Sequence, residues 1–72
     1  MATVHLVTPN GAAIKAIREA RGWSMRHLAR LIERAASTVS RIEGGAGCTS
    51  DTRDRIAAAL DVHPDAITKE MT

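Results

Sequence analysis

Ser24-Met25-Arg26-His27-Leu28-Ala29-Arg30-Leu31-Ile32-Glu33-Arg34-Ala35-Ala36-Ser37-Thr38-Val39-Ser40-Arg41-Ile42-Glu43 is the stretch on which the reading of this chain turns. Leu28, Ala29 and Ile32 recur at the spacing of one helical face, and Val39 and Ile42 repeat it further on. Two short helices joined by a tight turn account for the pattern. The second has an apolar underside, and its outer side carries short hydroxyl groups and one guanidinium. A helix so built suits the DNA major groove, where its donors can meet base edges and phosphates.

Outward from this stretch, Ser24 is a good N-cap for helix 2, which runs to about Glu33. Helix 3 spans Ala36 to Glu43 and stops at Gly44-Gly45. Upstream, helix 1 begins near Thr8–Asn10: either Thr8 caps with Pro9 in the first helical position, or Asn10 caps directly. Ile14 and Ile17 mark its buried face, and Gly22 ends it. Downstream, Gly44–Thr49 is a loop flexible by composition, and helix 4 starts near Ser50–Thr52 with acids in its first turn, as the helix dipole prefers. Ile56 and Leu60 carry it to the core. Pro64 opens a short fifth helix anchored by Ile67 and Met71. The expectation is an all-α, compact five-helix bundle over residues 8–72, preceded by an arm or short strand of residues 1–7 with Val4 and Leu6 on one side.

Seventy-two residues with a single Trp and no Phe or Tyr require an aliphatic core, assembled from Ile14, Ile17, Leu28, Ile32, Val39, Ile42, Ile56, Leu60 and Ile67. Close-packed alanine-rich helices leave no room for a cofactor pocket, so no cofactor is expected. The apolar run Ile56–Leu60 is far too short to span a bilayer, and no basic region precedes an apolar one at the N-terminus. The lone Cys48 has no disulfide partner within the chain. The expected location is therefore cytoplasmic, with no membrane contact. Net charge is only +2, but it is unevenly placed. Residues 1–41 hold seven cations against two acids, and residues 42–72 hold three against six. One basic face turned toward a polyanion fits this asymmetry, and so does ordinary solvation of helix surfaces.

Four pieces in order then carry a resemblance. Arg21-Gly22-Trp23-Ser24, Leu28-Ala29, Ser37-Thr38-Val39-Ser40-Arg41-Ile42-Glu43 and Arg55-Ile56-Ala57-Ala58-Ala59-Leu60-Asp61-Val62 resemble the phage repressor and Cro helix-turn-helix family, also called the XRE family. The likeness covers about residues 11–68, with no insertion or deletion between Leu28 and Glu43. It implies that helix 3 is the recognition helix of a sequence-specific, double-stranded DNA-binding transcription regulator.

The resemblance also assigns roles. Ala36, Ser37, Ser40 and Arg41 match positions that face base edges or adjacent phosphates. Arg41 can donate two bonds to guanine, a pairing worth about 1–3 kcal/mol of discrimination, or it can clamp a phosphate. Ser37 and Thr38 can donate to phosphates or meet a thymine methyl. Arg26 and His27 at the start of helix 2, and Arg34 in the turn, lie where the backbone should pass. For Arg26, Arg30 and Arg34 the plainer reading is a solvated face with Glu33 as local partner. Arg18 and Glu43 match an ion pair joining helix 1 to the end of helix 3, a structural role. Trp23 either packs between helices 1 and 2 or stacks on a base.

Some positions depart from the family pattern. Glu33 stands where the turn normally has glycine, and Arg34-Ala35 replaces an apolar residue and a capping Ser or Thr. A non-glycine in the left-handed conformation costs about 1–2 kcal/mol, and a missing cap about 1 kcal/mol. Either the domain accepts these costs, or helix 2 runs on and Ser37 caps a shortened helix 3. Met25 stands where the family often has a glutamine contacting phosphate. Leu31, usually polar in such sequences, is expected to be covered by Val4 and Leu6.

Enzyme and metal readings fare poorly. His5, His27 and His63 are scattered without ligand spacing, nothing orders a nucleophilic triad, and Gly44-Gly45-Ala46-Gly47 is no phosphate loop. The competing reading is a protein-interaction module, such as an antitoxin or co-regulator, whose helices grip a partner protein. On the DNA reading, one short recognition helix reads few base pairs, so a weak homodimer completed on a two-half-site operator is expected.

Overall fold

The structure, a computed structural model, describes residues 5–69. Asn10 opens the first helix, α1 (Gly11–Ala20): its backbone is extended and its side-chain oxygen accepts from the Ala13 N–H at 3.0 Å, so of the two starts open to the sequence this is the one adopted. Gly22, at φ 72°, turns the chain away after α1. Ser24 caps α2 (Met25–Leu31) by accepting from the His27 N–H at 3.0 Å.

α2 ends earlier than expected. Glu33 takes the left-handed conformation at φ 58°, and the Arg34 N–H returns to the Ala29 carbonyl at 2.9 Å. Helix α3 (Ala36–Glu43) then starts after Ala35, whose side chain makes no capping bond. The chain thus carries both local costs, and helix 3 keeps its full length.

The expected five-helix, all-α bundle needs correction. Among the described residues there are four α-helices, the fourth being α4 (Ser50–Leu60), followed by a single 3-10 turn at Pro64–Ile67 and accompanied by a two-stranded antiparallel ribbon. In that ribbon β1 (Leu6–Val7) pairs with β2 (Cys48–Thr49), Leu6 opposite Thr49 and Val7 opposite Cys48. The Ser50 N–H extends the pairing to the His5 carbonyl at 2.9 Å. The last turn cannot grow into a helix because Thr68 is already extended and bridges Pro9, while Lys69 donates to the Thr8 carbonyl at 2.9 Å. Met71, expected as an anchor, lies outside the described residues.

The core gathers one face from every helix: Ile14, Leu28, Ala29, Ile32, Val39, Ile42, Ile56, Ala57, Leu60 and Ile67 are all buried. Ile17 packs against this cluster only part-buried. Gly11 lets α1 come close to α3. A Cβ there would lie 2.5 Å from the carbonyl oxygens of Ile42 and Glu43, so the first turn of α1 presses directly on the last turn of α3. No described helix is long and apolar enough to cross a membrane.

Candidate nucleic-acid interface

α3 is split cleanly by its 3.6-residue period. Val39 and Ile42 are 1% and 2% exposed and seat the helix on the core. Ala36, Ser37, Ser40 and Arg41 project from the other side and are all exposed, while Thr38 sits half-buried on the flank. Among the described residues Arg41 has no ion-pair partner. At 1.5 Å per residue the helix offers a ridge about 12 Å long.

What aims this ridge is a buried cross-link on its inner flank. Arg18 of α1 meets Glu43 in fork-to-fork geometry, Nε to Oε2 at 2.7 Å and Nη2 to Oε1 at 3.0 Å. Its remaining amino group donates to the Trp23 carbonyl at 2.7 Å. The two side chains are 8% and 3% exposed, and the hydrogen bond to Glu43 raises the Arg18 pKa against the opposing effect of burial. Every buried donor and acceptor of the described side chains has a partner, so the guanidinium and carboxylate lie buried without an orphaned group. α1, the α1–α2 turn and the end of α3 are thereby tied at one point.

On the opposite flank the structure brings Arg34, Thr38 and Arg41 to one open depression of ≈ 320 Å³. Ile42 and Thr52 contribute to its lining, and the segment Ala46–Thr49 completes it. Thr49 is fixed there as the N-cap of α4, accepting from the Thr52 N–H at 3.2 Å. Arg34 does not reach freely into this space. Its Nη1 donates to the Glu33 carbonyl at 3.1 Å, and its Nη2 donates to Asp51 Oδ2 at 3.2 Å. Arg55 joins the same carboxylate oxygen at 3.1 Å, lies 3.7 Å from Glu33 Oε2 and approaches the Ile32 carbonyl at 3.5 Å.

Asp51 and Arg55 were invisible as participants in the sequence. An acid in the first turn of α4 reads only as dipole compensation, and nothing local connects it to a turn seventeen residues earlier. Arg21 is likewise committed, donating to the Leu60 carbonyl and lying 5.6 Å from the Trp23 ring centroid. Arg26 and Arg30 are exposed and carry no ion pair among the described residues. His27 stands apart from the depression, its ring edge-on to Trp23 at 5.0 Å between centroids. Trp23 is half-buried and packs on the core cluster.

Leu31 departs from expectation: it remains 48% exposed, and Leu6 is 76% exposed. Leu6 is held in register opposite Thr49 by the ribbon and leaves the Leu31 surface open. The part assigned to Val4 falls outside the described residues.

A helix-turn-helix domain model matches residues 11–69. HTH-type transcriptional regulators of Mycobacterium bovis and Mycobacterium tuberculosis are each 39% identical to the chain. The alignment takes in 78% of this chain and 27% of theirs, so the chain spans about a quarter of the length of the curated relatives it matches. Among solved structures, the restriction-modification controller protein C.AhdI of Aeromonas hydrophila superimposes with a TM-score of 0.73 at 30% identity, over 78% of this chain and 86% of that one. The biofilm regulator SinR of Bacillus subtilis, solved in complex with DNA, gives 0.71 at 30% identity over 76% and 90%. SinR has also been solved in complex with the SinI protein. With the helix pair, the turn and the flanking helices in the same order, the chain belongs to the helix-turn-helix domain family, in its repressor and Cro (XRE) branch.

Proposed function

We infer that this chain binds double-stranded DNA in a sequence-dependent manner and regulates transcription, with α3 entering the major groove. The observation that carries this reading is the division of α3: an apolar side fully spent on the core, and an opposite side of Ala36, Ser37, Ser40 and Arg41 left exposed. Small side chains along the ridge let the backbone approach base edges, and Arg41 supplies the long bidentate donor. Thr38 and Arg34 border the depression and serve an adjacent phosphate, while Arg26 at the start of α2, with His27 beside it, serves the opposite backbone. Arg18 and Glu43 fix the tilt of α3 and touch no DNA. A ridge of about 12 Å reads only a few base pairs, so a homodimer on two half-sites about one helical turn apart supplies the remaining specificity. A double-stranded DNA operator as target puts the protein in the cytoplasm.

The test is selection of bound duplexes from a random pool, followed by titration of the winner at several salt concentrations. Enrichment of a two-half-site sequence, with affinity falling steeply as salt rises, is expected because each phosphate contact releases counterions. Absence of any enriched sequence contradicts the reading.

A second reading has two observations in its favour. Leu31 and Leu6 leave apolar surface exposed, and SinR itself has been solved with a protein partner. A partner complex held by such surface would be insensitive to salt, which separates it from DNA binding in the same titration.

A further inference from the structure

Four charged side chains from two parts of the fold close into one network beside the recognition helix. Asp51, in the first turn of α4, offers a single oxygen, Oδ2, to both Arg34 Nη2 at 3.2 Å and Arg55 Nε at 3.1 Å. Arg55 continues to Glu33 Oε2 at 3.7 Å, and Arg34 folds back on the Glu33 carbonyl. Two guanidinium groups and two carboxylates leave the helix-turn-helix turn with no net charge. Yet Arg34 borders the same depression as Arg41 and Thr38, on the flank of α3 that borders the proposed groove surface.

We propose that Asp51 attenuates DNA binding by holding Arg34 in an internal ion pair that a backbone phosphate must displace. This deepens the DNA reading above and rests on it. Two physical arguments select Asp51 over Glu33. Its carboxylate is the one bonded to the Arg34 guanidinium, whereas Glu33 holds that residue only through a main-chain carbonyl. Asp51 is also 67% exposed and sits in the first turn of the helix whose cap, Thr49, lines the depression, so a phosphate entering there meets its negative charge. The Arg34 side chain is 34% exposed, enough to be reached but not to swing free. Displacement therefore exchanges one anion for another on the same guanidinium. The gain from an otherwise strong Arg–phosphate contact is largely cancelled, and the turn exerts no long-range pull on the duplex.

Asp51→Asn keeps the shape of the side chain and a hydrogen-bond acceptor at the helix start while removing the charge. Arg55 retains Glu33 and the Ile32 carbonyl, so the turn stays tied to α4. The experiment measures Kd for the selected duplex across a salt series for wild type, D51N, R34Q and the double variant, each checked for an unchanged melting profile. D51N is expected to bind severalfold tighter at low salt, with the slope of log affinity against log salt steeper by up to about 0.9, the limit reached where the wild type leaves that phosphate contact unmade. In the R34Q background the same substitution should give markedly less, because the released group is gone. Wild-type binding with D51N equal or weaker, or an equal gain with and without Arg34, overturns the attenuator role while leaving the DNA reading intact. No salt-dependent binding by either protein overturns both.

Discussion

Arg18 and Glu43 face each other across twenty-five residues of sequence with both guanidinium–carboxylate bonds at 3.0 Å or less, in a site where neither side chain is more than 8% exposed. A buried, doubly bonded pair at this place does more than hold two helices together. Glu43 is the last residue of α3, and Arg18 also holds the Trp23 carbonyl, so the pair ties the end of α3 to α1 and to the α1–α2 turn.

Removing one partner strands a buried charge. Glu43→Ala is expected to cost about 3–5 kcal/mol, more than roughly 12 °C of melting temperature in a domain of this size. The paired change Arg18→Met with Glu43→Leu should recover most of that loss, because an apolar pair carries no desolvation penalty. Thermal melts of the single and double variants check both statements. A single variant that melts like wild type would contradict the structural role. Since the Arg18 pKa is raised, the part of this contribution that depends on the guanidinium charge is present below the ordinary arginine range and fades only in strong alkali.

The turn between α2 and α3 carries two correctable costs. Glu33→Gly relieves the left-handed strain at φ 58°, for a net gain of about 1 kcal/mol after the added freedom of the unfolded chain. Its ion pair with Arg55, at 3.7 Å and 80% exposed on the Glu33 side, is too solvated to offset this. Ala35→Ser supplies the absent N-cap of α3 for about 1 kcal/mol more. Both variants should melt higher than wild type, and denaturant titration would show the midpoint rising at constant slope.

Gly11 tests the seat of α3 from below. Gly11→Ala forces a methyl group against the Ile42 and Glu43 carbonyls, where only backbone can give way. Overpacking of this kind costs about 1–3 kcal/mol. The variant should lose stability and, through the shifted end of α3, operator affinity. An alanine tolerated without change in either would contradict the close approach of α1 to α3.

Cys48 lies in β2 at the edge of the depression, and burial pushes its thiol above the ordinary cysteine value while nearby Arg53 acts the other way. The folded chain therefore holds this proton longer than the unfolded chain. The associated stability is fully present below the unfolded value and is lost as pH rises through the folded one. At neutral pH, alkylation by iodoacetamide should be slow in the native protein and rapid in denaturant. Equal rates in both would contradict the burial of the thiol.

The part of the fold written in local periodicity was readable from the chain. Val39 and Ile42 on one side, with Ser37, Ser40 and Arg41 on the other, give α3 its limits and its outward face directly, and Leu28, Ile32, Ile56 and Leu60 give the core they meet. Elements that exist only through distant pairing were readable in part. A short strand was one of two alternatives for residues 1–7, and β1 (Leu6–Val7) realises it, but Cys48–Thr49 read as loop and becomes a strand only because it meets β1. Pro64 signals a helix start, but the bridge from Thr68 to Pro9 halts it after one turn. The candidate site divides in the same way. The residues of α3 follow from spacing, whereas the commitment of Arg34 to Asp51 depends on where α4 lands.

Arg41 is the one long cationic side chain on the exposed side of α3. Binding of the selected duplex and of a half-site guanine-substituted duplex should be compared for wild type and Arg41→Ala, with far-UV circular dichroism as the folding check. The variant is expected to keep its helical signal and its salt-dependent binding to DNA in general, but to lose about 1–3 kcal/mol of preference for the selected sequence. A variant that still discriminates the two duplexes as well as wild type would contradict the claim that the exposed side of α3 reads the DNA.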